Sequence, residues 1–141
     1  MQQQITPRWE PETDDVLDAF HAYAAAFRAL DPRAAAAAFA TPCLLLSPRG
    51  DFAASSHQEV VRFYETLMAE ARRAGYATTL FWWLSPHVID GATAAVAAAG
   101  VWLGLDETVL LRFELTYIFR KVDGHWKIEL GNVREHPGDV L

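Results

Sequence analysis

The sequence predicts an α+β fold in which three helical segments are covered by an antiparallel meander, in the order α-α-β-β-α-β-β-β-β. Three stretches carry that expectation. Val109 to Val133 alternates in two arms, with Leu111, Phe113, Leu115, Tyr117 and Phe119 on one face of the first and Trp126, Ile128, Leu130 and Asn132 on one face of the second. A period of two is that of a half-buried strand. Asp123-Gly124 between the arms supplies a tight reversal, because glycine takes positive φ at no steric cost. Val16, Phe20, Tyr23, Phe27 and Leu30 recur at alternate spacings of four and three, the stripe of one helix face. Ser56-His57-Gln58-Glu59 reads as a capping box ahead of a second stripe, Val60, Tyr64, Leu67 and Ala71, which Gly75 closes.

Taken in order, residues 1–11 carry Pro7 and Pro11 without periodicity and read as an arm, with Trp9 able to pin it to the body. Thr13-Asp14-Asp15 opens the first helix with a capping hydroxyl and acids that complement the helix dipole. Asp31-Pro32 stops that helix and starts a second through the alanine tract to about Phe39, which Thr41-Pro42 ends. Cys43 to Ser47 is a short apolar strand, Pro48 to Asp51 a turn, and Phe52 to Ala54 its return. After the third helix come strands over Ala77 to Ile89 and Ala92 to Leu105, then the long hairpin. The body is expected over 12–134, and the polar tail 135–141 is expected to fray.

At 141 residues the chain is one domain in size, able to bury roughly 70% of its unfolded surface. A net charge of −6 with scattered basic residues excludes nucleic acid as a partner, since phosphate binding needs clustered cations. One cysteine, Cys43, excludes an internal disulfide and reads as a small buried hydrophobe. There is no apolar run of the roughly 18–20 residues that a bilayer requires, and no basic-then-apolar leader pattern, so a cytoplasmic protein without membrane attachment is expected. No paired histidine or cysteine spacing suggests a metal, and no glycine-rich phosphate loop is present. No cofactor is therefore expected.

Strand parity sorts the chemistry-bearing residues. Among the inward positions of the last two strands only Tyr117 and Asn132 are polar, while Glu114 and Glu129 fall on the outer parity. A bulge that carried a carboxylate inward would change that assignment. Tyr23 faces inward from the first helix, either as a donor to a ligand oxygen or as a core tyrosine bonded to backbone or water. His87, on a strand interrupted by Pro86, is the best-placed imidazole to move a proton near neutral pH, although an edge histidine is ordinarily just solvated. Trp82-Trp83 places one indole on each sheet face, with Trp102 on the next strand. An outward indole points to an interface, and a homodimer through the sheet face is expected.

The element order, together with Phe20-x-x-Tyr23-x-x-x-Phe27-x-x-x-Asp31, Phe39, Pro48-x-Gly50 and Asp123-Gly124-x-Trp126-x-Ile128, resembles the nuclear transport factor 2-like superfamily over about residues 13–133. That superfamily includes SnoaL-like polyketide cyclases, ketosteroid isomerase and scytalone dehydratase. The resemblance implies a cone: a curved sheet wrapped on the helices around an apolar pocket, with a dimer partner outside. It also implies that Tyr23, eight residues before Asp31, matches the isomerase tyrosine that donates to a developing enolate, and that Tyr117 lies nearest the second donor. The isomerase's basic aspartate, directly before the proline of the Pro-x-Gly turn, is replaced here by Ser47. A serine hydroxyl needs a base of its own before it can accept a proton, so steroid isomerisation of that type is not expected.

The expectation is thus a pocket for a small hydrophobic or aromatic molecule. Tyr23, Tyr117 and His87 are the candidate catalytic groups, and Ser47, Trp82, Trp102, Phe113, Trp126 and Asn132 the candidate ligand contacts. As an enzyme the protein would be a cyclase, isomerase or dehydratase. The alternative is a non-catalytic dimerisation, assembly or sensing module with a filled cone.

Overall fold

The computed structural model describes residues 10–137. Most of the expected arm and the last residues of the tail lie outside the described residues. Helix α1 spans Glu10–Arg28 and α2 spans Pro32–Ala36, followed by β1 (Phe39–Leu46), β2 (Phe52–Ala54) and α3 (His57–Ala74). Strands β3 (Tyr76–Val88), β4 (Thr93–Gly104), β5 (Val109–Val122) and β6 (His125–Pro137) complete the chain. Among the described residues no helix is long and apolar enough to cross a membrane.

The local signals act as their chemistry requires. Ser56 and Glu59 exchange side-chain and backbone hydrogen bonds across the start of α3, and Gly75 ends it at φ 91°. Asp31 caps α2 by accepting from the Ala34 backbone N–H at 3.1 Å. Asp123 and Gly124 both take positive φ, 52° and 81°, which fits the twist of the strands they join. α1 begins about a turn earlier than its acidic cluster suggested, because proline is tolerated in a helix's first turn. α2 is shorter than the alanine tract allowed. Phe39 already pairs with Ile128, and the Ile128 N–H donates to Ala38 O at 2.8 Å, so the sheet takes over where the helix was expected to continue.

The α+β class and the four-strand antiparallel meander are as expected. The six strands form one open sheet in the order β2-β1-β6-β5-β4-β3, mixed because β1 lies parallel beside β6. α1 and α3 cover one face. Val16, Phe20, Val60, Phe119 and Ile128 between them are fully buried. Arg28 on α1 ties the helix to β3 by donating from Nε to Thr79 O at 3.1 Å.

Two bulges decide which side chains reach the interior. On β6, Leu130 pairs with Ile118 but Ile128 pairs with Phe119, so Glu129 is an extra residue. Upstream of it Trp126 and Ile128 point in. Downstream the phase inverts: Gly131, Val133 and Glu135 lie opposite the inward Tyr117, Leu115 and Phe113. On β3, Phe81 pairs with Gly100 and Trp83 with Ala99, leaving Trp82 as the extra residue. Phe81 lies over Gly100, where an added Cβ would stand 2.6 Å from the Leu80 carbonyl oxygen.

Candidate functional site: a phenol-floored cavity

A cavity of about 100 Å³ opens between α1, α3 and the sheet. Each water needs roughly 10–15 Å³ by this measure, so the space is that of several waters or one flat ring system. Its walls are apolar, built from Phe27, Leu67, Phe81, Trp102, Phe113 and Val133 among others. Trp102 stacks on Phe27 at 5.6 Å between ring centroids, and Phe81 meets Phe113 edge-on at 5.8 Å.

Three buried phenols line the same cavity and touch one another. Tyr117 donates from its hydroxyl to Tyr23 Oη at 3.1 Å, and the Tyr23 and Tyr64 hydroxyls lie 2.9 Å apart. Burial is the largest cause that pushes all three well above the usual tyrosine range, so all are neutral at ordinary pH. Each hydroxyl carries one proton. Tyr64 and Tyr117 also bond to each other, so the three hydroxyls form one mutually bonded cluster in the cavity wall.

The mouth is charged. Arg49, from the turn after β1, donates from Nε to Glu135 Oε2 on β6 at 2.6 Å and from Nη1 to Glu70 on α3. The Glu135 hydrogen bond is the main cause holding the guanidinium above its ordinary range. Ser47 shapes the loop that presents Arg49: its Oγ accepts from the Arg49 N–H at 3.1 Å and donates to Gly50 O at 3.2 Å.

Of the residues singled out from sequence, Tyr23, Tyr117, Ser47, Trp102 and Phe113 are brought together at this cavity. Four others are placed elsewhere. Asn132 is exposed on the outer face, because the bulge at Glu129 inverts its parity. Trp82 is exposed there too: the β3 bulge puts both indoles outside, 57% and 52% exposed, rather than one on each face. His87, opposite Ala95 on the edge strand, is exposed and does not line the cavity. Trp126 is buried as expected but lines a separate cleft beside α1 and α2, and its Nε1 has no partner among the described residues. Glu114 and Glu129 stay on the outer side, where Glu129 pairs with Arg120.

Three residues of the site were not singled out. Tyr64 stood in plain view on the α3 stripe. Arg49 sat inside a turn whose side-chain direction no periodicity fixes. Glu135, assigned to a fraying tail, lies on β6 facing inward, and the step from Leu130 to Val133 around Gly131 was the trace of the bulge that turns it. Among the described residues no group of histidine, cysteine and acidic side chains is arranged to hold a metal ion.

An open sheet packed on helices around an apolar hollow, with a few hydrogen-bonding groups at its floor and mouth, defines the cystatin-like α+β cone. The NTF2-like family model DUF6841 matches residues 13–134, and the chain belongs to that family. No functionally curated protein matches it in sequence. Solved structures share the fold at low identity. A ketosteroid isomerase-like protein from Erwinia carotovora atroseptica superposes with a TM-score of 0.73 at 18% identity, covering 92% of this chain and 99% of that one. An NTF2-like protein with a cystatin-like fold from Novosphingobium aromaticivorans gives 0.75 at 12%, covering 94% and 87%. A scytalone dehydratase candidate from the same organism gives 0.67 at 16%, covering 93% and 90%.

Proposed function

We propose that the protein binds a small, flat, apolar molecule carrying a carbonyl or similar oxygen acceptor, which accepts a hydrogen bond from the phenol cluster at the cavity floor. The observation that carries this reading is the cluster of three buried, neutral phenols, Tyr117, Tyr23 and Tyr64, in the wall of an otherwise apolar cavity. A neutral phenol in a dry site donates strongly to an oxygen that gains negative charge, the requirement of enolate-forming chemistry. The reading extends to a SnoaL-like cyclase, isomerase or dehydratase.

The test is titration of the protein with 2-acetylnaphthalene labelled with ¹³C at the carbonyl. Saturable binding with a downfield carbonyl shift is expected, and the shift should be lost in the double variant Tyr23→Phe/Tyr64→Phe. Absence of saturable binding to the wild-type protein, or the same shift without the two hydroxyls, would refute the reading.

The outer sheet face supports a homodimer. Leu80, Trp82 and Trp83 are each more than half exposed there, and both indoles border a trough floored by Ala97 and Ala99. Clustered, exposed large apolar side chains of this kind favour a protein partner. Replacing both Trp82 and Trp83 with Glu should convert a dimer to a monomer by light scattering. A mass unchanged by the double replacement would rule this face out as the interface.

A further inference from the structure

We infer that the ligand is uncharged and carries, at the end opposite its carbonyl, a hydroxyl held between Arg49 and Glu135. This deepens the cavity reading above and rests on it. A guanidinium has five N–H donors. Arg49 directs Nε at Glu135 and Nη1 at Glu70, so three N–H groups remain without a protein acceptor among the described residues. Glu135 accepts from Arg49 through Oε2, and among the described residues its Oε1 accepts nothing. Both residues line the cavity. The mouth therefore offers a free donor and a free acceptor on two groups already in contact.

Charge selects the class of partner. One guanidinium stands against two carboxylates, Glu70 and Glu135, so the mouth carries a net charge of about −1 and repels an anion. A cation would meet Arg49 and lose hydration against the apolar walls. A neutral hydroxyl satisfies both sides, since it donates to Oε1 while accepting from an unused N–H.

Spacing sets the length. Glu135 is opposite Phe113, and Tyr117 lies four residues along the same strand. At about 3.4 Å per residue the two polar ends stand about 14 Å apart at the backbone. Side chains reaching inward from both ends shorten that gap to the length of a one- or two-ring molecule substituted at both ends.

Three probes decide the matter by calorimetric titration: 2-acetylnaphthalene, 6-acetyl-2-naphthol and 2-acetyl-6-methoxynaphthalene. The naphthol should bind about tenfold more tightly than either of the others, the gain of one hydrogen bond to a charged group at a half-open mouth. In Glu135→Gln that advantage should fall to about threefold or less. Equal affinities for the three probes, a methoxy compound as tight as the naphthol, or an advantage that survives Glu135→Gln would each overturn the mouth assignment while leaving the cavity reading intact. Failure of all three to bind would overturn both. The probe ranking on the wild-type protein stands by itself if the variant does not fold.

Discussion

Raising the pH through the range in which free tyrosine ionises should unfold the protein in one step, with the phenolate signal appearing only as the structure is lost. All four tyrosines are held above the usual range, Tyr23, Tyr64 and Tyr117 strongly so, with burial as the leading cause in each case. The sign follows directly. Below the unfolded value of about pH 10 both states keep their protons and stability is intact. Above it the unfolded chain ionises while the folded chain does not, so stability falls as pH rises toward the folded values. Each phenol contributes a slope of about 1.36 kcal/mol per pH unit once the unfolded form is fully ionised, and three give about 4 kcal/mol per unit. Against a total of about 5–15 kcal/mol that slope is decisive. Phenolate absorbance and far-ultraviolet circular dichroism should therefore change together. Phenolate formation in a protein that keeps its native dichroism would mean that water reaches the three hydroxyls.

Phe20→Ala should be the most damaging single truncation beneath the site. The ring is fully buried, meets Phe81 edge-on at 5.4 Å and leans against Tyr117 at 6.3 Å. It is thus the apolar support behind both a cavity wall and one of the phenols. Removing it loses the transfer energy and leaves a hole that α1 cannot close, at a cost of about 3–5 kcal/mol. A urea titration reads this as a lower midpoint with an unchanged slope. A loss below about 1 kcal/mol would show that α1 does not anchor the core through this face.

The sequence was most legible where one residue type has one conformational consequence. Asp123-Gly124, the Ser56–Glu59 box and Gly75 each marked an element end that the structure reproduces, and the α1 stripe pointed Tyr23 inward. Parity held along β5, so Tyr117 and Phe113 were placed correctly. It failed wherever one strand carries an extra residue. Nothing in an alternating pattern marks Glu129 or Trp82 as unpaired, yet each reverses what lies beside it, taking Asn132 out, Glu135 in and both indoles outside. The usable signals were glycines. Gly131 lies where a Cβ would come within 2.6 Å of Leu45 and 2.9 Å of Tyr117, and Gly100 pairs beside the other bulge. An isolated glycine inside a strand marks such irregularity. The mouth was hidden for another reason: Arg49 and Glu135 lie 86 positions apart and meet only because β1 runs beside β6.

The unpaired position at Glu129 acts as a phase switch for the end of the chain. What faces the hollow there is set by the register of β6 on β5 rather than by the kinds of residue. Pairing the full-length ribbon without that bulge would exchange the two rows, turning Asn132 and Arg134 toward the ligand and sending Val133 and Glu135 into solvent. Removing Glu129 itself would leave the present rows in place. A one-residue slip in register, with no side chain altered, is therefore a route by which a scaffold of this shape could reverse the polarity of its own doorway.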